Sequence, residues 1–173
     1  GNTEFRTVNK KMYVDSVAFA VYKREVFEKI GLMDTELIRN QDDEFHYRMN
    51  ANGLKILMVP EMQCTYYVRD RFGALFKQYY QYGLYKPIVL KKVSSGIRLR
   101  HIVPVVFVVY LISLPVLWWT SSVFIAPLLL YAGGISFYAM KYKGTWMEKG
   151  YALISFTILH ISYGIGFMRG VFK

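Results

Sequence analysis

The sequence predicts a partial α/β unit, then an amphipathic interface helix, then about three transmembrane helices. Three observations carry this. Residues 1–69 mix short β-branched and aromatic runs with helical patterns, residues 70–100 take a helical period with cations opposite an aromatic face, and residues 101–173 hold long uncharged runs. Composition agrees, because a formal charge of +10 with 54% hydrophobic residues, 15 Tyr and 12 Phe is unusual for a soluble domain and suits a membrane protein with a basic face.

Gly1 to Lys10 is polar and reads as a loop, and no signal peptide is expected before it. Met12 to Tyr22 is rich in Val, Tyr and Phe and predicts a strand or strand pair with Asp15 near its start. Asp15 is either an edge or turn residue or a polar group facing a site. Arg24 to Ile30 predicts a short amphipathic helix, with Val26, Phe27 and Ile30 inward and Gly31 as its stop. Asp34-Thr35-Glu36 follows that stop and is read as a turn.

Arg39-Asn40-Gln41-Asp42-Asp43-Glu44 then opens the next helix. Asn40 or Asp42 suits the N-cap, Phe45, Met49 and Leu54 form an apolar stripe, and Gly53 ends it. Three adjacent carboxylates repel one another, so they persist only where a helix N-terminus, a cation or a substrate to be deprotonated compensates them. Beyond it, Lys55 to Val59 predicts a strand ended by Pro60, and Met62 to Val68 a second.

Eleven of the twelve acids lie at or before Asp70, with Glu148 alone afterwards, while Arg69, Arg71, Lys77, Lys86, Lys91, Lys92, Arg98 and Arg100 crowd one segment. A boundary falls near residue 70. The basic block beside apolar spans points to anionic lipid headgroups; with no accompanying motif, nucleic acid is not an expected partner. Phe72, Leu75, Phe76, Tyr79, Tyr80, Tyr82 and Leu84 form one face of a helix with Arg71, Lys77 and Lys86 opposite, either in a membrane interface or packed on the preceding domain, and Pro87 should bend or end it.

His101 to Trp119, Val123 to Met140 and Tyr151 to Met168 each run about 18 or 19 residues, enough for about 30 Å of hydrocarbon. Aromatics gather near their ends. By the positive-inside rule the basic segment and the loop with Lys141, Lys143 and Lys149 are cytoplasmic, which leaves Arg169 and Lys173 outside unless the third segment is re-entrant. His160 inside the third span is read as a hydrogen-bonding or lipid-substrate contact. Cys64 is the only cysteine, so no intrachain disulfide forms.

Val14-Asp15-Ser16-Val17, Tyr22 to Gly31, Arg39 to Glu44 and Gln78-Tyr79-Tyr80-Gln81-Tyr82-Gly83, in this order, resemble the second half of a family 2 glycosyltransferase, closest to the bacterial exopolysaccharide (succinoglycan-type) membrane enzymes. The resemblance implies that residues 1–69 are the C-terminal, acceptor half of a GT-A-like catalytic domain. It implies a cytoplasmic catalytic part on a multi-pass protein of the cytoplasmic membrane. It places the general base of inverting transfer on Asp42 and acceptor or substrate contacts on Asp15, Gln41, Asp43, Glu44, Gln78, Gln81 and Tyr82. Gln41 stands where the family motif has Glu, and Gln78-x-x-Gln81-Tyr82 keeps the spacing of a Gln-x-x-Arg-Trp motif without its Arg and Trp.

Implied partners are a nucleotide-sugar donor, a lipid-linked or polysaccharide acceptor, membrane lipids and a preceding half that binds the nucleotide. A divalent metal, Mg or Mn, is implied for the complete enzyme with ligands outside this chain. Two other classes stay open: a non-catalytic membrane scaffold of the same family, and a small channel or transporter, disfavoured by the near absence of ionisable groups within the spans.

Overall fold

A computed structural model describes residues 10–93 and 99–173. The expected loop over residues 1–9 and the basic Arg98 lie outside the described residues. The order is β1 (Met12–Val14), α1 (Arg24–Ile30), α2 (Gln41–Ala51), β2 (Ile56–Met58), α3 (Phe72–Lys92), α4 (Leu99–Thr120), α5 (Ala126–Lys141) and α6 (Trp146–Val171), with a short 3-10 turn, Ser122–Ile125, before α5. Two compact units form. The first takes residues up to Val68 and those from Tyr85 to the end of α3, and the second takes Arg69–Leu84 with α4 to α6.

In the first unit β1 pairs antiparallel with β2, with Met12 opposite Met58, Tyr13 opposite Leu57 and Val14 opposite Ile56. Alternation sends Val14, Ile56 and Met58 into the core and leaves Tyr13 and Leu57 exposed. Phe45 and Met49, one helical turn apart on α2, fill that core, and Val26, Phe27 and Ile30 of α1 pack beside them. Tyr22, Phe27 and Phe45 meet in pairs at ring-centroid distances of 5.0 to 5.7 Å. Gly31 ends α1 at φ 80° and Gly53 follows α2 at φ 72°, the positive values that disfavour a side chain.

The strands are shorter than expected. Strand structure stops at Val14 because β2 offers only three residues between Lys55 and Val59, and from Ser16 the chain turns toward α2 instead. Met62 to Val68 forms no strand; it is exposed along its length, and among the described residues no third strand offers it a ladder. Helix α2 also differs in detail. Asn40 is its N-cap but takes a left-handed φ of 60° and makes no side-chain capping bond, while the Asp42 carboxylate accepts from the Asp43 N–H at 2.9 Å.

Helix α3 does not end at Pro87. It runs on to Lys92 through the proline, although a proline inside a helix costs about 3 kcal/mol. Buried Tyr85, Lys86 and Val89 hold the turns on either side of the ring and offset that cost. Lys86 is therefore not on an exposed cationic face.

The second unit is built on helices long and apolar enough to cross a membrane: Leu99–Thr120, Ser122–Lys141 and Trp146–Val171. At 22, 20 and 26 residues they extend about 33, 30 and 39 Å. Their surfaces are dominated by exposed Val, Leu, Ile, Phe and Trp, a surface that needs lipid around it. This is a membrane protein. Thr145 and Glu148 form a capping box at the start of α6, which accounts for the one acid of the C-terminal half. His160 bonds across helices, its Nδ1 lying 3.0 Å from the Tyr131 hydroxyl.

Glycines bring backbones together here. A Cβ on Gly83 would meet the Tyr163 carbonyl oxygen and lie 2.8 Å from the Phe167 nitrogen, one on Gly166 would run into the Tyr80 carbonyl, and one on Gly164 into the Pro104 carbonyl. The first part of α3 and the start of α4 thus pack on the last turns of α6, where Arg169 donates to the Tyr80 hydroxyl at 2.9 Å. Gly166→Leu should lower the unfolding temperature of the detergent-solubilised protein, at a cost of about 1–3 kcal/mol for overpacking. Gly150→Leu, whose added Cβ meets nothing within 4 Å, should leave that temperature nearly unchanged.

Candidate functional site

The first turn of α2 carries Asp42, Asp43 and Glu44 side by side, and the fold gives each a different environment. Glu44 is buried against Arg48, whose Nε lies 2.5 Å from one carboxylate oxygen and whose second terminal nitrogen lies 2.9 Å from the other. The same guanidinium donates to the Ile30 and Leu32 carbonyls at 2.5 and 2.9 Å, so the Glu44–Arg48 pair ties α2 to the end of α1. Glu44 is a structural anchor rather than an open contact.

Asp43 is half-buried and bound to α3. Lys86 is buried, and its ammonium donates to Asp43 Oδ2 at 2.8 Å and to the Tyr47 hydroxyl at 3.0 Å, and stands 5.0 Å from the centre of the Tyr47 ring. Asp42 is the exposed member. Among the described residues it has no ion-pair partner, and its position in the first helical turn lets the helix dipole favour its charge.

Around these acids runs a chain of polar contacts. The Tyr22 hydroxyl lies 2.7 Å from His46 Nε2, the Ser16 hydroxyl 3.0 Å from His46 Nδ1, and Ser16 Oγ donates to Asp43 Oδ1 at 3.4 Å. Ser16 has one proton; with that proton on Asp43, the satisfied arrangement has His46 donating from Nδ1 and accepting from Tyr22 at Nε2. Burial supports this neutral ring. It holds the imidazole below its ordinary value against the opposing pull of Asp42 and Asp43, and burial followed by the Asp42 charge pushes the Tyr22 phenol up.

Of the residues singled out by sequence, Gln41, Asp42, Asp43 and Glu44 share this turn. Gln41 opens α2 and is half-buried. Asp15 sits toward the other end of the helix, where Asn50 Nδ2 donates to its carbonyl at 3.0 Å, beside a shallow depression of about 200 Å³ lined by Tyr13, Val14, Asp15, Asn50, Lys55 and Ile56. Gln78, Gln81 and Tyr82 belong to the second unit, where Gln78 Nε2 donates to the Tyr82 hydroxyl at 2.9 Å. Asp34-Thr35-Glu36 is a turn closed by the Glu36 N–H on Asp34 Oδ1 at 2.8 Å, and both carboxylates hold Lys92. The Lys92 hydrogen bond, then that backbone N–H, keep the Asp34 carboxyl below its usual range, and the two acids raise Lys92. Among the described residues no three His, Cys, Asp or Glu side chains are grouped to hold a metal ion. The described residues thus offer no ligand set for the divalent metal, whose ligands the resemblance places outside this chain.

Ser16, Tyr22, His46 and Lys86 are site residues that the sequence reading did not select. His46 carried a signal, since it stands four residues after Asp42 and three after Asp43 and so shares their helix face. Lys86 carried none, because its partner is 43 residues away.

The chain is similar to a protein of succinoglycan biosynthesis. That relative, the succinoglycan biosynthesis protein ExoA of Rhizobium meliloti (strain 1021), is 25% identical over 178 residues, covering 98% of this chain and 52% of its own length. A second relative, dolichyl N-acetyl-α-D-glucosaminyl phosphate 3-β-D-2,3-diacetamido-2,3-dideoxy-β-D-glucuronosyltransferase of Methanococcus voltae, is 25% identical over 93 residues, covering 53% of this chain and 29% of its own length. The resemblance read from the motifs is thus met by curated proteins, of which this chain spans about half or less. No family profile matches the chain, and no solved structure does.

The state of His46 makes the fold pH-sensitive. Its proton affinity is lower folded than unfolded, so above about pH 6.5 the group contributes no pH dependence, and below it the unfolded chain takes up a proton that the folded chain resists. Stability should fall by up to about 1.4 kcal/mol per pH unit there. Thermal unfolding of the solubilised protein between about pH 7.5 and about pH 5.5 checks this, with the wild type losing more than His46→Gln.

Proposed function

We propose that this chain is the acceptor and membrane portion of an inverting, membrane-bound glycosyltransferase that moves a sugar from a nucleotide-sugar to a lipid-linked or polysaccharide acceptor, with Asp42 as general base. The observation that carries the reading is the sorting of the three acids: Glu44 and Asp43 are bound to Arg48 and Lys86, while Asp42 is left in solvent at a helix start. A carboxylate so placed takes the proton of an acceptor hydroxyl as that oxygen bonds to the anomeric carbon and the bond to the nucleoside diphosphate breaks. The named glycosyl transfer of the archaeal relative and the similarity over 98% of this chain to a succinoglycan biosynthesis protein support the substrate classes.

On this reading residues 1–69 complete a GT-A-like catalytic domain at the cytoplasmic face, residues 70–100 lie at the interface, and the rest anchors it. Gln41 and Asp43, in the same turn as Asp42, line the acceptor side. The ligands of a Mg²⁺ or Mn²⁺ ion, and the nucleotide-binding half, would come from protein outside this chain. The substitution of Gln81 for the Arg of the Gln-x-x-Arg-Trp pattern favours the second reading, a non-catalytic scaffold of the same family.

Asp42→Asn separates the two. Loss of proton transfer should lower glycosyl transfer by about 10²–10⁴-fold in the full-length membrane protein while abundance and membrane insertion stay near wild type, because the change is isosteric and exposed. Transfer at the wild-type rate in that variant would remove Asp42 from the chemistry. The Arg169 to Tyr80 contact supports placing the end of α6 on the same side as α3. A cysteine at Lys173 should then react with an impermeant maleimide in inside-out vesicles and stay protected in intact cells; the reverse pattern would put that end outside.

A further inference from the structure

Resting on the general-base reading, we propose that Lys86 is a positioning residue for the transfer: by neutralising Asp43 it leaves Asp42 as the one uncompensated carboxylate of the acid triplet. The argument begins with burial. Lys86 is 4% exposed, and an ammonium at that depth requires a counter-charge. It has Asp43 at 2.8 Å, with the Tyr47 hydroxyl at 3.0 Å accepting a second N–H. Its charge is therefore committed to Asp43 and is not shared with solvent or lipid.

Charge in the first turn of α2 then sums simply. Glu44 is cancelled by Arg48 and Asp43 by Lys86, so one net negative charge remains, on Asp42. Among the described residues, His46 on α2 and Tyr22 before α1 are titratable groups joined to Asp43 through Ser16, and the Arg39 cation stands three residues before Asp42. A neutral imidazole and a neutral phenol leave that sum unchanged. Removal of the Lys86 charge alone would make Asp43 a second bare carboxylate beside Asp42, and like charges that close hold protons more tightly. The ionised base would then be harder to form at low pH, with no change in any atom of Asp42.

The test is the pH–rate profile of glycosyl transfer in membranes carrying the full-length protein, normalised to its abundance. Lys86→Met should move the acid limb upward by roughly one pH unit, whereas Lys86→Arg, which keeps the charge, should leave it near wild type. Asp43→Asn should move the limb the other way, because it leaves the Lys86 charge unneutralised near Asp42. The double variant Lys86→Met/Asp43→Asn removes both charges and should bring the limb back. If Lys86→Met fails to accumulate, Asp43→Asn and the double variant decide the question. Limbs that stay in place while rates fall at every pH would overturn the assignment and reduce Lys86 to packing. Asp42→Asn keeps the two failures apart: a fully active Asp42→Asn sinks the base itself, whereas an inactive one with unmoved limbs in the Lys86 and Asp43 variants sinks only this inference.

Discussion

A buried ammonium has to carry its counter-charge with it, and the meeting of Lys86 with Asp43 is the constraint around which the first unit is arranged. It joins the last turns of α3 to the first turn of α2. Because α2 also supplies Phe45 and Met49 to the core, the pair fixes that turn against the same helix that β1, β2 and α1 pack upon. Lys92 repeats the arrangement on the surface, closing on Asp34 and Glu36. Asp34, Glu36 and Asp43 are thus partners of two cations, Lys86 and Lys92, of the basic block that follows.

That pairing turns a repulsive cluster into a graded one. Three carboxylates in a row would oppose one another, but one is enclosed with an arginine, one is bridged to a lysine, and one is open to solvent at a helix start. The neutral chain from Tyr22 through His46 and Ser16 adds hydrogen bonds without adding charge. The general base proposed at Asp42 rests on that grading, since it requires one open carboxylate beside neighbours already paired.

The second unit obeys a different solvent. Its helices expose apolar side chains outward, and their mutual packing relies on close backbone approach at Gly83, Gly164 and Gly166 rather than on burial of large side chains. Within these helices His160 meets the Tyr131 hydroxyl, while Ser113, Thr157 and Ser162 donate to backbone carbonyls of their own helices.

Much of this was determined by local sequence. The bounds of α1 follow from its apolar spacing and Gly31, the three long apolar helices follow from run length, and the acid triplet marks the start of α2. What local pattern could not supply was anything that depends on a distant partner. A strand needs a ladder, so Met12 to Tyr22 and Met62 to Val68 read as strands yet only Met12–Val14 found one. A proline ends an isolated helix, but buried side chains on both sides of Pro87 carried α3 through it. Periodicity placed Lys86 among solvent-facing cations; only the tertiary fold, by bringing a carboxylate from 43 residues away, decided that it is buried and which of three neighbouring acids stays free. Spacing along the chain encodes faces and lengths, whereas the charge state of a cluster is set by what the fold packs against it.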